Sequence, residues 1–184
     1  IGCALGGFSE IIGERISRFS YTGVDISENM INIARNIKPQ HEFYHISEAD
    51  LSILNHRKFD LVLCLGILHL SWKWRELLIE AWKLTGKNFL YDLRVTSEET
   101  VEDIKKSYFS MDFAENISLN ISAKSILPYI IINSSEALKI AETSFFDASS
   151  ISQFGYTNKP HISATTCYDK VLMNTWLITK VSTD

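Results

Sequence analysis

A doubly wound α/β fold, with a mostly parallel sheet, helices on both faces and a closing antiparallel hairpin, is what this 184-residue sequence predicts. Three observations carry that reading. Helically spaced segments alternate with short β-branched or aromatic runs through the first half, the order that builds parallel strands through crossover helices. Phe59-Asp-Leu-Val-Leu-Cys-Leu65 is nearly continuous in apolar residues, as a strand buried on both faces requires. A glycine-rich turn, Ile1-Gly-Cys-Ala-Leu-Gly-Gly7, opens a helical run, and the next strand ends in Asp25, 19 positions after Gly6.

Phe8, Ile12, Ile16 and Phe19 recur at helical spacing, which predicts a first helix over Phe8–Phe19. Tyr21–Asp25 reads as a strand. Ser27 is placed to cap a helix carrying Met30, Ile31, Ala34 and Ile37, which stops before Pro39. Glu42–Ile46 is the next strand, and Phe59–Leu65 the one after it. Ser71 is read as the cap of a helix with Trp74, Leu77, Leu78 and Ala81 on its core face, closed by Gly86. Asn88–Leu93 is a further strand. Beyond Val95, Ser97–Phe109 reads as a polar-faced helix and Met111–Leu127 as a Ser/Asn-rich stretch of little periodicity. Pro128–Asn133 is β-like, and Ser134–Phe145 is helical. Ile151–Tyr156 and Lys170–Lys180 alternate as a hairpin around a loop at Pro160. The whole reads as one domain: a ligand-binding half over 1–94, an insertion over 95–150 and the hairpin over 151–180.

The glycine turn and Asp25 have the layout of a nucleoside-binding βαβ half, in which bare main chain approaches the ligand and a carboxylate takes the ribose hydroxyls. In the dinucleotide register, Gly2-x-Ala4-x-x-Gly7, a methyl group stands where a pyrophosphate needs bare backbone. Ala4 therefore argues against a diphosphate ligand. In open α/β sheets ligands sit beyond the carboxyl ends of the strands. That rule selects Gly2, Cys3, Ala4 and Gly6 in the first turn, Asp25 and Ile26 after strand two, and Asp50 and Leu51 after strand three. It also selects Cys64 and Leu65 at the end of strand four, and Asp92 and Arg94 at the end of strand five.

Ile1-Gly-Cys-Ala-Leu-Gly6 resembles the first motif of class I S-adenosylmethionine-dependent methyltransferases, usually Asp-Ile-Gly-Cys-Gly-x-Gly, with Ala4 at the middle glycine. The resemblance covers Ile1–Arg94 by motif and Ile151–Lys180 by architecture, and it implies the Rossmann-like sheet of that family. The family's leading acid and most of its central first strand would precede Ile1, so the chain is expected to begin within the motif and to be marginally stable by itself. The implied cofactor is S-adenosylmethionine, with Asp25 on its ribose. Ala49-Asp50-Leu51 resembles the family's Gly-Asp-x, whose acid meets the adenine amino group. Leu63-Cys-Leu-Gly-Ile-Leu-His-Leu70 resembles the segment that flanks the methyl-donor sulfur.

His69 in that segment is the candidate general base, since an imidazole suits proton removal from a hydroxyl or amine near neutral pH. Trp72, Asp92 and Arg94 are the candidate acceptor contacts: an aromatic face to stack and two groups to orient polar or anionic atoms. Trp74 reads as core; Tyr129 reads as core first, with a place beside Asn133 in an acceptor pocket as the alternative.

Net charge is −4, and 22% of the residues are charged, which leaves no basic footprint for unspecific nucleic-acid binding. The default acceptor is a small molecule. An RNA acceptor is the nearest alternative, because Gly6-Gly-Phe-Ser9 echoes ribose-directed RNA methyltransferases; however, strand four ends Cys-Leu-Gly where they place an acid. An NAD(P)-dependent oxidoreductase is disfavoured by Ala4 and by the lack of a Tyr-x-x-x-Lys pair. A non-catalytic domain that binds the cofactor is the third alternative. The 3 cysteines lack metal-ligand spacing and read as reduced thiols, so no metal is expected and the cytoplasm is the expected compartment. The longest apolar run, Leu61–Leu70, is too short to span a bilayer. Oligomeric state is left open.

Overall fold

The structure is a computed structural model and describes residues 1–111, 125–157 and 164–181. In chain order it runs α1 (Gly7–Gly13), β1 (Thr22–Asp25), α2 (Glu28–Ile37), β2 (Glu42–His45), β3 (Phe59–Cys64), α3 (Trp74–Leu84) and β4 (Thr85–Thr96). There follow β5 (Tyr108–Met111), β6 (Ser125–Pro128), β7 (Ile132–Asn133), α4 (Ser134–Thr143), β8 (Ala148–Thr157), β9 (Ala164–Thr165) and β10 (Leu172–Lys180). Single turns of 3-10 helix stand at Ser52–Leu54 and Leu68–Leu70.

The strands make a larger sheet in the order β3-β4-β10-β8, with β7 added beside β4, and a smaller pair β1-β2. β1/β2 and β3/β4 are parallel; β10 runs antiparallel to both β4 and β8, which is the closing hairpin. Ile1–Cys3 lie between the two sheets. The Ile1 amine donates to Leu63 O at 2.8 Å, and Cys3 N–H donates to Val24 O at 3.0 Å. Beside them runs a groove of about 390 Å³ between β1 and β3, lined by Ile12, Phe19, Leu54, Leu61 and Leu63 among others. A three-stranded sheet, β6-β5-β9, stands apart from both.

The helices form where cap and stripe agree. Ser27 Oγ accepts Met30 N–H at 3.3 Å and starts α2, whose Ile31 and Ala34 are buried. α3 turns Trp74, Leu77, Leu78, Ala81 and Trp82 inward. Asn133 Oδ1 accepts Ser135 and Glu136 N–H and starts α4, which buries Ala137 and Ala141. α3, α4 and the sheet enclose the main core, where the rings of Tyr91 and Trp176 stack with centroids 5.4 Å apart. Burying one large apolar side chain stabilises by about 1.5–3 kcal/mol.

Five expectations differ from what forms. Phe59–Cys64 is a strand but is not buried on both faces: Leu61 is 44% exposed, and Leu61 and Leu63 line the groove. The first helix stops at Gly13 rather than Phe19: its apolar stripe fronts the open groove, and Ile16 is 52% exposed. Ser71 does not cap α3; its Oγ accepts Lys73 N–H at 3.1 Å, and the helix starts at Trp74. Gly86 does not close α3, because the chain passes directly into β4 and Gly86 lies within that strand. Ser97–Phe109 is not a helix: Val101 pairs with Ile131 as an antiparallel bridge, and Tyr108–Met111 is β5. The loop around Pro160 and most of Met111–Leu127 lie outside the described residues.

Candidate functional site

The first turn is bent by three residues at positive φ: Gly2 (66°), Ala4 (46°) and Gly6 (75°). A Cβ on Gly2 would stand 2.3 Å from Ile67 Cγ2, so only glycine lets this turn approach the segment after β3. Gly6 N–H donates to Cys3 O at 2.7 Å and closes the turn. Asp25, half-buried at the end of β1, clasps it from below. Its Oδ2 accepts Ala4 N–H at 2.8 Å, and its Oδ1 accepts Ser27 N–H at 2.9 Å. The first turn and the acid that ends β1 are thus one unit, as the sequence spacing predicts. Ile26 follows with 61% of its surface exposed, an apolar patch at the strand end.

The remaining cofactor-side candidates divide. Asp50 is exposed and accepts Ser52 N–H at 2.9 Å; the Ser52 hydroxyl and amide hold its carboxyl below the usual carboxylate range. Leu51 and Cys64 are buried in the main core, which turns their side chains away from the surface. Burial pushes the Cys64 thiol up to about 12 and the Cys3 thiol up to about 11. Leu65 is half-buried.

On the β3 and β4 side the candidates form a closed circuit. Gly66 N–H donates to both carboxylate oxygens of Asp92 at 3.0 Å. Arg94 Nη1 lies 3.8 Å from Asp92 Oδ1, and Arg94 Nε donates to Tyr129 Oη at 3.2 Å. The Tyr129 ring meets the His69 ring edge-on, with centroids 5.1 Å apart, and His69 O accepts Ile130 N–H. Gly66 and His69 share one loop, so the circuit ties the end of β4 to the segment after β3. All four side chains are buried, and burial pushes the Asp92 carboxyl above its ordinary value against the pull of Arg94 and the Gly66 amide. Arg94 Nη1 makes no hydrogen bond among the described residues. Trp72, three residues after His69, is 50% exposed, whereas Trp74 is core.

Sequence reasoning missed one member, Lys38, and placed another, Tyr129, in the core first. Tyr129 reads as core from its apolar neighbours, yet its hydroxyl receives Arg94. Lys38, which looks like a solvated lysine before Pro39, is 7% exposed and donates from Nζ to Gly6 O at 2.8 Å while pairing with Glu10 at 2.8 Å. Among the described residues no group of three or more His, Cys, Asp or Glu is placed to hold a metal ion, and no helix is long and apolar enough to cross a membrane.

Comparison with known proteins agrees with this geometry. Residues 1–88 match a family model described as a methyltransferase domain. No curated protein sequence matches the chain. Among solved structures, the N-terminal domain of EvdMO1 with SAH bound superimposes with a TM-score of 0.61 at 15% identity, over 97% of this chain and 72% of that one. A SAM-dependent methyltransferase from Clostridium acetobutylicum gives 0.62 at 11% identity, over 97% and 81%. Magnesium protoporphyrin IX methyltransferase from Synechocystis with SAH bound gives 0.57 at 14% identity, over 97% and 71%.

Proposed function

We propose that this chain is a class I S-adenosylmethionine-dependent methyltransferase, on the match of residues 1–88 to a methyltransferase-domain model, and that it moves a methyl group from that cofactor onto an O, N or C atom of a small-molecule acceptor. The observation that carries this reading is the junction of the first turn with Asp25, through the Ala4 N–H on Oδ2 at 2.8 Å. Each Asp25 oxygen takes one amide, and an ionised carboxylate has about four acceptor sites, so two remain for ribose hydroxyls. Exposed Ile26 offers an apolar face for an adenine ring, and exposed Asp50 an acceptor for its amino group. Leu51, Cys64 and Cys3 would contribute through main chain, and Leu65 borders the sulfur side. These residues fit the cofactor.

The bound cofactor supplies an electrophilic methyl group on a sulfonium. What this chain adds is alignment and exclusion of water. The Gly66–Asp92 contacts hold the loop that flanks the transfer line. Arg94, whose Nη1 makes no hydrogen bond among the described residues, and exposed Trp72 are the groups we assign to the acceptor, and His69 is the group we assign to take a proton from an acceptor that has one to lose. The region 95–150 would frame the acceptor. The three free thiols accord with the cytoplasm as its compartment.

The test is calorimetric titration of S-adenosylhomocysteine and, separately, NAD⁺ into the protein and its Asp25→Ala variant. Micromolar binding of the former, lost in the variant, supports the reading. Binding of NAD⁺ alone, or of neither, overturns it.

A further inference from the structure

Lys38 lies outside every motif of the sequence, yet it reaches the centre of the cofactor turn. Its ammonium is buried, which is unfavourable unless the charge is paired and hydrogen-bonded. It has both: Glu10 at 2.8 Å and the Gly6 carbonyl at 2.8 Å. Glu10 is 72% exposed and is therefore the weaker half of the arrangement. The Gly6 carbonyl also accepts Ser9 N–H at 3.0 Å and Ser9 Oγ–H at 2.8 Å, so three donors converge on one oxygen. Gly6 itself is gripped from two sides, since a Cβ there would stand 2.8 Å from the Phe43 ring and 3.5 Å from Lys38 Cδ.

A trans peptide points its C=O and the following N–H in opposite directions. With the Gly6 oxygen held inward by Lys38 and Ser9, the Gly7 N–H side of the same peptide faces the other way. There the chain is open: Gly7 is exposed, and a Cβ on it would have nothing within 4 Å. We propose that Lys38 is a positioning residue for the amino-acid arm of the cofactor, holding the Gly6–Gly7 peptide in the one orientation that presents its N–H to the ligand. This rests on the S-adenosylmethionine reading given above. Asp25 works on the opposite end of the same turn, so the arm and the ribose are separately supported.

The discriminating pair of probes is S-adenosylhomocysteine and 5′-methylthioadenosine, which shares the adenine, ribose and thioether but lacks the amino-acid arm. Both are titrated into the protein, Lys38→Met, Lys38→Arg and Ser9→Ala. The expected result is a loss of about tenfold for S-adenosylhomocysteine in Lys38→Met, the scale of one charge-assisted hydrogen bond, with 5′-methylthioadenosine within about twofold. Lys38→Arg restores most of the loss. Should Lys38→Met not fold, Ser9→Ala removes another donor from the same carbonyl and must show the same ligand selectivity. Equal weakening of both probes, or no weakening of S-adenosylhomocysteine, overturns the proposal. Failure of the unaltered protein to bind S-adenosylhomocysteine overturns the cofactor reading instead.

Discussion

Asp25 and Ala4, 21 positions apart, are joined by a 2.8 Å hydrogen bond from the Ala4 N–H to the carboxylate. The bond holds Ala4 at φ 46°, a left-handed conformation that a residue with a Cβ adopts at a cost of about 1–2 kcal/mol. One contact thus binds the end of β1 to the first turn of the chain and stores strain there.

Ala4→Gly releases that strain. Glycine brings an unfolded-state entropy cost of about 0.5–1 kcal/mol, so the net gain is about 0–1.5 kcal/mol. At this length about 1 kcal/mol raises Tm by roughly 2–4 °C. Thermal unfolding by circular dichroism reads it, and a fall in Tm would show that the turn is not strained at Ala4.

Gly2→Ala has the opposite effect for two separable reasons. It places a Cβ at φ 66° and drives it to 2.3 Å from Ile67 Cγ2. The conformational part is about 1–2 kcal/mol and the overpacking part about 1–3 kcal/mol. Adding Ile67→Ala removes only the second part, so the double mutant should be more stable than the sum of the singles implies, by at least about 0.5 kcal/mol. Strict additivity in urea unfolding would refute the close approach.

Much of this was legible because the local and global signals agree. Ser27 caps the helix it is placed to cap, Phe59–Cys64 is a strand, and Asp25 meets the glycine turn. Where they disagree, tertiary pairing decides. The polar spacing of Ser97–Phe109 suits a helix, but Val101 is taken by Ile131 and Phe109 by a second core cluster, so the segment extends. Within the site, strand-end residues were identifiable from topology alone. Their partners were not. Lys38 and Tyr129 reach the site through side-chain length and hydroxyl placement, which leave no periodic trace in the sequence.

Tyr129→Phe tests the buried circuit. It removes the acceptor of Arg94 Nε and leaves a buried charged donor without that partner. An unsatisfied buried donor costs about 1–3 kcal/mol, so Tm should fall by roughly 2–12 °C. Tyr168→Phe is the control: its hydroxyl donates to Glu99 O in an exposed contact and should change Tm by little. Equal effects of the two substitutions would mean that the Arg94–Tyr129 bond carries no stability.

Asp92 gives the fold a pH dependence whose sign is fixed by burial. Its carboxyl is pushed above its ordinary value of 3.8, chiefly by burial, with Arg94 and the Gly66 amide pulling the other way. A group whose pKa is raised on folding favours the folded state in its protonated form. Its contribution is therefore fully present below 3.8 and is lost as pH rises through the folded-state value. Asp92→Asn is neutral throughout and lacks that loss. The difference in Tm, variant minus wild type, should accordingly increase as pH is raised from about 3.8 towards neutrality, by roughly 2–4 °C for each kcal/mol of linkage. Any fixed penalty from giving Arg94 a neutral neighbour shifts the whole curve and leaves its slope. A difference that shrinks with rising pH would show that Arg94 and Gly66 outweigh burial and that Asp92 is held below its ordinary value. A flat difference would show that the two influences cancel.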